Sequence, residues 1–453
     1  MKLKLIENGT IVSKNSRFKG YILIKNDRIA KVSEGEYRPA NDGLHLERKD
    51  MEVIDATGCV VMPGVIDDQV HFREPGMTYK ADTKSESAAA AAGGVTSFMD
   101  MPNTNPATTD FEALDNKFEN AAKNSVINYS FYLGATNQNS NLLSKIDTSH
   151  VCGVKLFMGS STGNMLVDRE AALAAIFEQC PILIATHCED ESTVRSNFNA
   201  MKAQYGDTGT AQLHPLIRSA EACYRSSAKA VELASRYNSR LHVLHLSTAR
   251  ELELFSDAPL EDKKITNEVC VHHLWFSDKD YALKGNMIKW NPAIKTTEDR
   301  DALRAGLLSG KVDVVATDHA PHTLEEKSKP YFEAPSGGPM ISHSLVTMLE
   351  MSTQGVFSIE QVVDKMCHAP ARLFNIKERG FLREGYYADI AIVKPSPWVV
   401  DRGNILYKCG WSPLEGQQLS YKVDCTIVNG KTVYDGKTVI ADAGAAMALE
   451  FER

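Results

Sequence analysis

Residues 59–76 read CVVMPGVIDDQVHFREPG. An apolar, β-branched run breaks off into Asp67, Asp68, Gln69, His71, Arg73 and Glu74, and Pro75-Gly76 ends the segment. Read as a strand over 59–66, it delivers its polar groups at its C-terminal end. Residues two apart on a strand share a face, so Gln69, His71 and Arg73 can address one cavity. Seven further runs of the same kind follow, at 94–101, 127–135, 151–158, 181–187, 240–246, 264–271 and 312–317. Helix-like segments at 80–92, 110–124, 168–179, 217–237, 248–255 and 298–309 lie between most of them. Strands alternating with helices imply a parallel sheet. Eight of them imply a closed (β/α)8 barrel, an α/β fold whose chemistry sits at the C-terminal strand ends.

Outside this region the pattern changes. Residues 3–12, 20–33 and 53–55 alternate apolar and polar around Asn8-Gly9 and Asn26-Asp27. Residues 388–395 and 425–439 do the same around Asn429-Gly430 and Asp435-Gly436. These read as short antiparallel strands with hairpin turns. The expected organisation is a barrel over 59–381 and one small β-sandwich domain formed from both termini, 1–58 plus 382–453. The chain carries 50 Lys and Arg against 58 Asp and Glu, a net charge of −8, which argues against nucleic acid as the main partner. No run approaches the ~20 apolar residues of a membrane span. The N-terminus lacks the apolar run of a signal peptide. Nine cysteines without a CxxC pair read as reduced thiols of a cytoplasmic protein, and Cys188 as a small buried hydrophobe.

Polar residues gather after the runs, as a barrel enzyme requires. The second run leads into Met101-Pro102-Asn103-Thr104-Asn105-Pro106, and the fourth holds Lys155 among Val154, Leu156 and Phe157. The fifth ends in Thr186-His187-Cys188-Glu189, and the sixth holds His242 and His245. The seventh leads to His272-His273 and on to Lys289-Trp290-Asn291-Pro292, and the eighth ends in Thr317-Asp318-His319-Ala320-Pro321-His322. Odd spacing keeps His242 and His245 off one face of a regular strand. His272, His273 and His319 read as structural. His71, Lys155, His187, His245 and Asp318 converge on one face and point to a metal site. Neutral imidazole and carboxylate suit borderline divalent ions such as Zn²⁺. A lysine ammonium cannot bind metal, but a lysine buried near cations is reactive as the free amine. Such an amine can capture carbon dioxide and become a carbamate that bridges two ions. Two ions together can activate water as a nucleophile at neutral pH.

These motifs resemble the amidohydrolase superfamily, and within it the dihydroorotase family, over nearly the whole chain, including Trp411-Ser412-Pro413-Leu414-Glu415-Gly416. The resemblance implies a metal-dependent barrel with one or two Zn²⁺ ions. Gln69 and His71 match the family's first-strand HxH pair, Lys155 its carbamylated bridging lysine, His187 and His245 ligands of the second metal. Asp318 matches the catalytic aspartate, which also contacts a metal. Arg73, Asn105, Asn291 and His322 match substrate binders, and Ser336-Gly337 the backbone segment that closes on the substrate ring. HFREPG (71–76) and MPNTNP (101–106) fit the dihydroorotase motifs, whereas allantoinases have Asn at the position of Arg73 and hydantoinases lack that Arg. A guanidinium there can grip a ring carboxylate bidentately. Two departures stand out. Gln69 replaces a histidine, a weaker ligand for the first metal. Met340-Ile341-Ser342-His343 stands where many relatives have Gly-Leu-Glu-Thr.

The implied activity is reversible cyclisation of N-carbamoyl-L-aspartate to L-dihydroorotate in pyrimidine biosynthesis, with Asp318 as general base and acid. Two alternatives stand beside it. One is a catalytically impaired dihydroorotase-like subunit of a pathway complex, which only Gln69 supports. The other is a cyclic amidohydrolase of hydantoinase or allantoinase type, which Arg73 disfavours. The family resemblance also implies a homo-oligomer or association with other pyrimidine-pathway enzymes.

Overall fold

The computed structural model describes residues 2–13, 16–39, 47–159 and 165–453. Three antiparallel strands come first, β1 (Leu3–Ser13), β2 (Ser16–Lys25) and β3 (Arg28–Glu34), then the short β4 (Glu52–Asp55) and β5 (Val60–Pro63). Asn26, with φ of 58°, turns β2 into β3 as its turn signal predicts, whereas Asn8, with φ of 65°, sits in a bulge inside β1 rather than in a turn between strands. The barrel follows as β6 (Val65–Val70), β7 (Val95–Asp100), β8 (Asn128–Gly134), β9 (Gly153–Phe157), β10 (Ile184–His187), β11 (Leu241–Val243), β12 (Ile265–Cys270) and β13 (Val314–Ala316). These eight strands pair in sequence order, and the His71 amide donates to His319 O at 2.8 Å to close the ring. The chain then returns outside as β14 (Ile390–Val399), β15 (Gln418–Val428) and β16 (Lys431–Tyr434).

Two boundaries differ from the sequence reading. The run 59–66 is not one strand: β5 pairs with β1 and β14 in the outer sheet, and β6 begins the barrel after Gly64. Periodicity is blind to this division, because both halves are fully buried. The crossing needs glycine, since a Cβ at Gly64 would lie 2.1 Å from Thr96 Cγ2. The outer strands form one continuous sheet, ordered β16-β15-β14-β5-β1-β2-β3 with β4 on β1. Ile11, Ile22, Val61, Ile390 and Ile427 share its core, which is why both termini are needed to build it. At the far end, residues 441–453 leave this sheet for the barrel's N-terminal face. Ala448 bridges Tyr129, Phe451 bridges Ile376, and Arg453 donates to the carbonyls of Val151 and Cys152. Within 1–58, residues 1, 14–15 and 40–46 lie outside the described residues.

Helices Thr83–Ala92, Phe111–Asn124, Glu170–Gln179, Ala220–Tyr237 and Thr297–Ser309 follow the expected segments, whereas 248–255 is only a 3₁₀ turn at Arg250–Leu254. Glu191–Tyr205 and Ser344–Thr353 are additional helices. Asp82, Asp110, Asp190, Ser219 and Thr296 cap helix starts by accepting backbone N–H groups. Among the described residues no helix is long and apolar enough to cross a membrane.

Candidate active site

The C-terminal strand ends surround a pocket lined by Gln69, His71, Arg73, Asn103, Lys155, Phe157, His187, His245, Asn291, Asp318, Ala320, His322, Ser336 and Gly337. Eleven of the twelve expected site positions thus meet there. One does not. Asn105 is exposed, and Asn103 faces the pocket instead. The cause is backbone packing: the Asn105 amide donates to Pro75 O at 3.1 Å, and Gly76 packs so tightly that a Cβ would lie 1.9 Å from Asn105 O. The loop is pinned at Asn105, which turns that side chain outward. Met340–His343 also lie off the pocket. The Met340 amide donates to His319 Nδ1 at 3.0 Å, and His343 Nδ1 pairs with the Tyr407 hydroxyl at 2.8 Å.

On the metal-facing side, His71 Nε2 lies 3.1 Å from Asp318 Oδ1, and the Gln69 amide donates to the same oxygen at 3.3 Å. His187 Nδ1 and His245 Nε2 face each other at 3.1 Å. Glu189 takes the other side of the His187 ring, 3.0 Å from Nε2, and is itself paired with Arg218. A carboxylate behind an imidazole is the arrangement that orients metal-binding histidines. Burial opposes ionisation of Glu189, but Arg218 overcomes it and holds the carboxyl at about 2. Burial also lowers the pKa of His71, His187 and His245, so all three rings stay neutral with a lone pair to offer. Lys155 sits in β9 with 1% exposure, and burial pushes its ammonium down to about 8. Neutral imidazoles, a carboxylate and a lysine poised as free amine form a donor set that fits divalent metal. His245 Nδ1, buried without a hydrogen-bond partner, adds a polar atom that the protein alone leaves unsatisfied.

On the opposite wall, Arg73 Nε donates to Pro321 O at 3.0 Å and Nη2 lies 3.1 Å from His322 Nε2. His322 is neutral, its pKa lowered to about 3 by burial and by Arg73. Lys80 Nζ donates to His322 Nδ1 at 2.9 Å, leaving Nε2 to carry the proton toward Ser336 O at 3.0 Å. Lys289 donates to the carbonyls of Tyr331 and Ala334, and Lys327 to those of Pro335 and Gly337, so two buried lysines hold the Ser336–Gly337 segment in place. Arg73, His245 and Asp318 have φ of 65°, 42° and 45°, sterically costly for these residues and a mark of functional sites. Sequence reading did not single out Asn103, Lys80, Arg218, Lys289 or Lys327 for these roles. Only the strained turns and buried contacts, invisible in sequence, mark them.

His319 and His272 lie outside the pocket against packing partners. His319 Nε2 pairs with Glu86 at 2.8 Å, and His272 stacks on Trp290 at 4.2 Å between ring centres. Cys188 is buried against Thr186. His245 follows β11 rather than lying within it, so it reaches the pocket while His242 stays inside the barrel.

Residues 60–433 match the model of the amidohydrolase family. The chain is 32% identical to a dihydroorotase of Methanosarcina acetivorans, over 98% of this chain and 95% of that one. It is 34% identical to a dihydroorotase of Halobacterium salinarum, over 88% and 95%. Among solved structures, the L-hydantoinase (dihydropyrimidinase) of Arthrobacter aurescens superposes with a TM-score of 0.92 at 26% identity, covering 99% of this chain and 100% of that one. Barrel, pocket and near full-length relatives agree: the chain belongs to the amidohydrolase family, and within it to the dihydroorotases.

Proposed function

We propose that this enzyme interconverts N-carbamoyl-L-aspartate and L-dihydroorotate, using zinc held by His71, a carbamylated Lys155, His187, His245 and Asp318, with Gln69 as a weak additional donor. The observation that carries the reading is Arg73, a buried guanidinium on the pocket wall beside His322. A neutral hydantoin ring would leave that charge unpaired in a desolvated site, whereas a ring carboxylate satisfies it. When bound, zinc polarises the ring amide carbonyl and makes water a competent nucleophile at neutral pH. In ring opening, Asp318 accepts the proton of the attacking water and passes it to the departing ring nitrogen. Arg73, Asn103 and His322 hold the carboxylate, and Asn291 the far side of the ring. The Gly337 N–H already donates to Lys289 O at 2.8 Å, so Ser336–Gly337 acts as a wall. The chain works as a homo-oligomer or with other enzymes of its pathway. The test is turnover of L-dihydroorotate beside hydantoin and dihydrouracil. The reading stands if only the carboxylated ring is opened efficiently. Preference for an uncharged ring makes it a hydantoinase, and no turnover at full metal loading an impaired subunit.

Three further outcomes follow. Gln69→His should raise zinc content or slow its loss to a chelator, because imidazole is the stronger donor on that strand face. Unchanged stoichiometry and unchanged chelator sensitivity would count against Gln69 as a donor. Carbamylation needs the free amine, so metal reloading of stripped protein in bicarbonate should accelerate as pH rises through the Lys155 value of about 8. A flat profile would remove Lys155 from the metal site. Cyclisation turns a carboxylate into a neutral ring amide and consumes one proton, so the product ratio should move toward the ring by about tenfold per pH unit of acidification. Initial rates should diverge likewise between about pH 6 and 9, ring opening rising and closure falling. Both rates rising together would exclude Asp318 as the shared proton carrier.

A further inference from the structure

Beneath the pocket, inside the barrel, Asp68, His242 and Glu268 meet with no exposure to solvent. They come from β6, β11 and β12, and the reaction described above uses none of them. His242 Nε2 lies 3.4 Å from Asp68 Oδ2 and 3.3 Å from Glu268 Oε2. Both Asp68 carboxylate oxygens are buried without a hydrogen-bond partner. The state of the ring can be read from its other side. The Thr266 hydroxyl donates its only proton to Leu241 O at 3.1 Å, so its 2.9 Å contact with His242 Nδ1 has the ring nitrogen as donor. Nδ1 therefore carries a proton, and Nε2 faces the two carboxylates. Buried charge of one sign is not tolerated without a counter-charge.

We propose that Asp68, His242 and Glu268 form a separate site for a divalent transition-metal cation under the floor of the pocket. Three observations support a metal over a proton on the ring. Charge-assisted N–H···O bonds contract to about 2.7–2.9 Å, and these contacts are wider. Donors around a tetrahedral ion at about 2.0–2.1 Å stand about 3.3–3.4 Å apart, which is the spacing of Nε2 from each carboxylate. The second Asp68 oxygen, buried without a hydrogen-bond partner, is a further donor that a proton on Nε2 does not use. Nδ1–H held by Thr266 is the outer contact that fixes a ligating imidazole. One nitrogen and carboxylate oxygens suit zinc or manganese, and the unpartnered second oxygen of Asp68 can chelate to fill the shell. Glu268 Oε1 accepts the His245 amide at 3.1 Å, so the cation would also steady the backbone of a pocket histidine.

The test uses the full chain produced with zinc and measures zinc per chain. A His187→Ala/His245→Ala variant, stripped of two pocket donors but still carrying His71, Lys155 and Asp318, should lose one tightly held equivalent when Asp68→Asn is added. Zinc-edge anomalous diffraction from wild-type crystals should show a peak between Asp68, His242 and Glu268, apart from any peak at Lys155. Loss of all zinc from the double variant, or absence of that peak in zinc-loaded crystals, overturns the proposal and leaves the proton on His242. The diffraction readout stands even if Asp68→Asn fails to fold. Turnover is measured separately, so failure of this site and failure of the dihydroorotase reading are distinct results.

Discussion

Asp318→Asn should slow turnover of L-dihydroorotate by about 10²–10⁴-fold, the range for removing a general acid–base group. The amide keeps the size and position of the side chain, just past β13 and beside His71 and Gln69, but it cannot accept a proton. The loss should fall on kcat with little change in KM, since Asp318 acts on protons in flight and Arg73 holds the ground state. Ring closure and ring opening should fall by the same factor, because a catalyst cannot move the equilibrium. Zinc per chain must be measured alongside, so that a lost ligand is not mistaken for a lost base. Less than tenfold loss at unchanged metal content would assign the proton transfer to another group.

Arg73→Lys should cost about ten- to a hundredfold in kcat/KM for L-dihydroorotate, the equivalent of about 1.5–3 kcal/mol of charged hydrogen bonding. The substitution keeps the charge and loses the fork. It also loses the bond from Nε to Pro321 O, which sets the guanidinium against His322. Lysine would bring a mobile ammonium to a wall that needs two fixed donors. Residual activity on an uncharged ring should change little. Near wild-type kcat/KM on the carboxylated ring would remove Arg73 from the substrate contacts.

The barrel was legible because each strand is a short apolar run and each carries its polar residues past its end. What periodicity cannot show is a strand changing partners in mid-run. Residues 59–66 are uniformly apolar, yet Gly64 divides them between two sheets. The pocket was legible for residues on or next to strands, His71, Lys155, His187 and Asp318. It failed at Asn105, where a loop contact to Pro75 decides which of two asparagines turns inward. Lys80, Arg218, Lys289 and Lys327 escaped notice for a related reason. A lysine or arginine in sequence reads as surface charge, and only the carbonyls and carboxylates of distant segments reveal it as an internal brace. His242 was set aside on strand parity. The structure places it one level below His245, both directed inward, because β11 ends at Val243.

The stitching of the last 64 residues onto the first 63 has a consequence for synthesis. β5 and β14 are neighbours in one sheet, and Arg453 fastens the backbone just ahead of β9. A ribosome that has delivered all eight barrel strands has therefore made a body whose outer sheet is half built and whose underside is open. The apolar edge of β5 must wait for β14, and the carbonyls of Val151 and Cys152 must wait for Arg453. Until β14 is made, that exposed edge is a surface on which another nascent copy could add a strand.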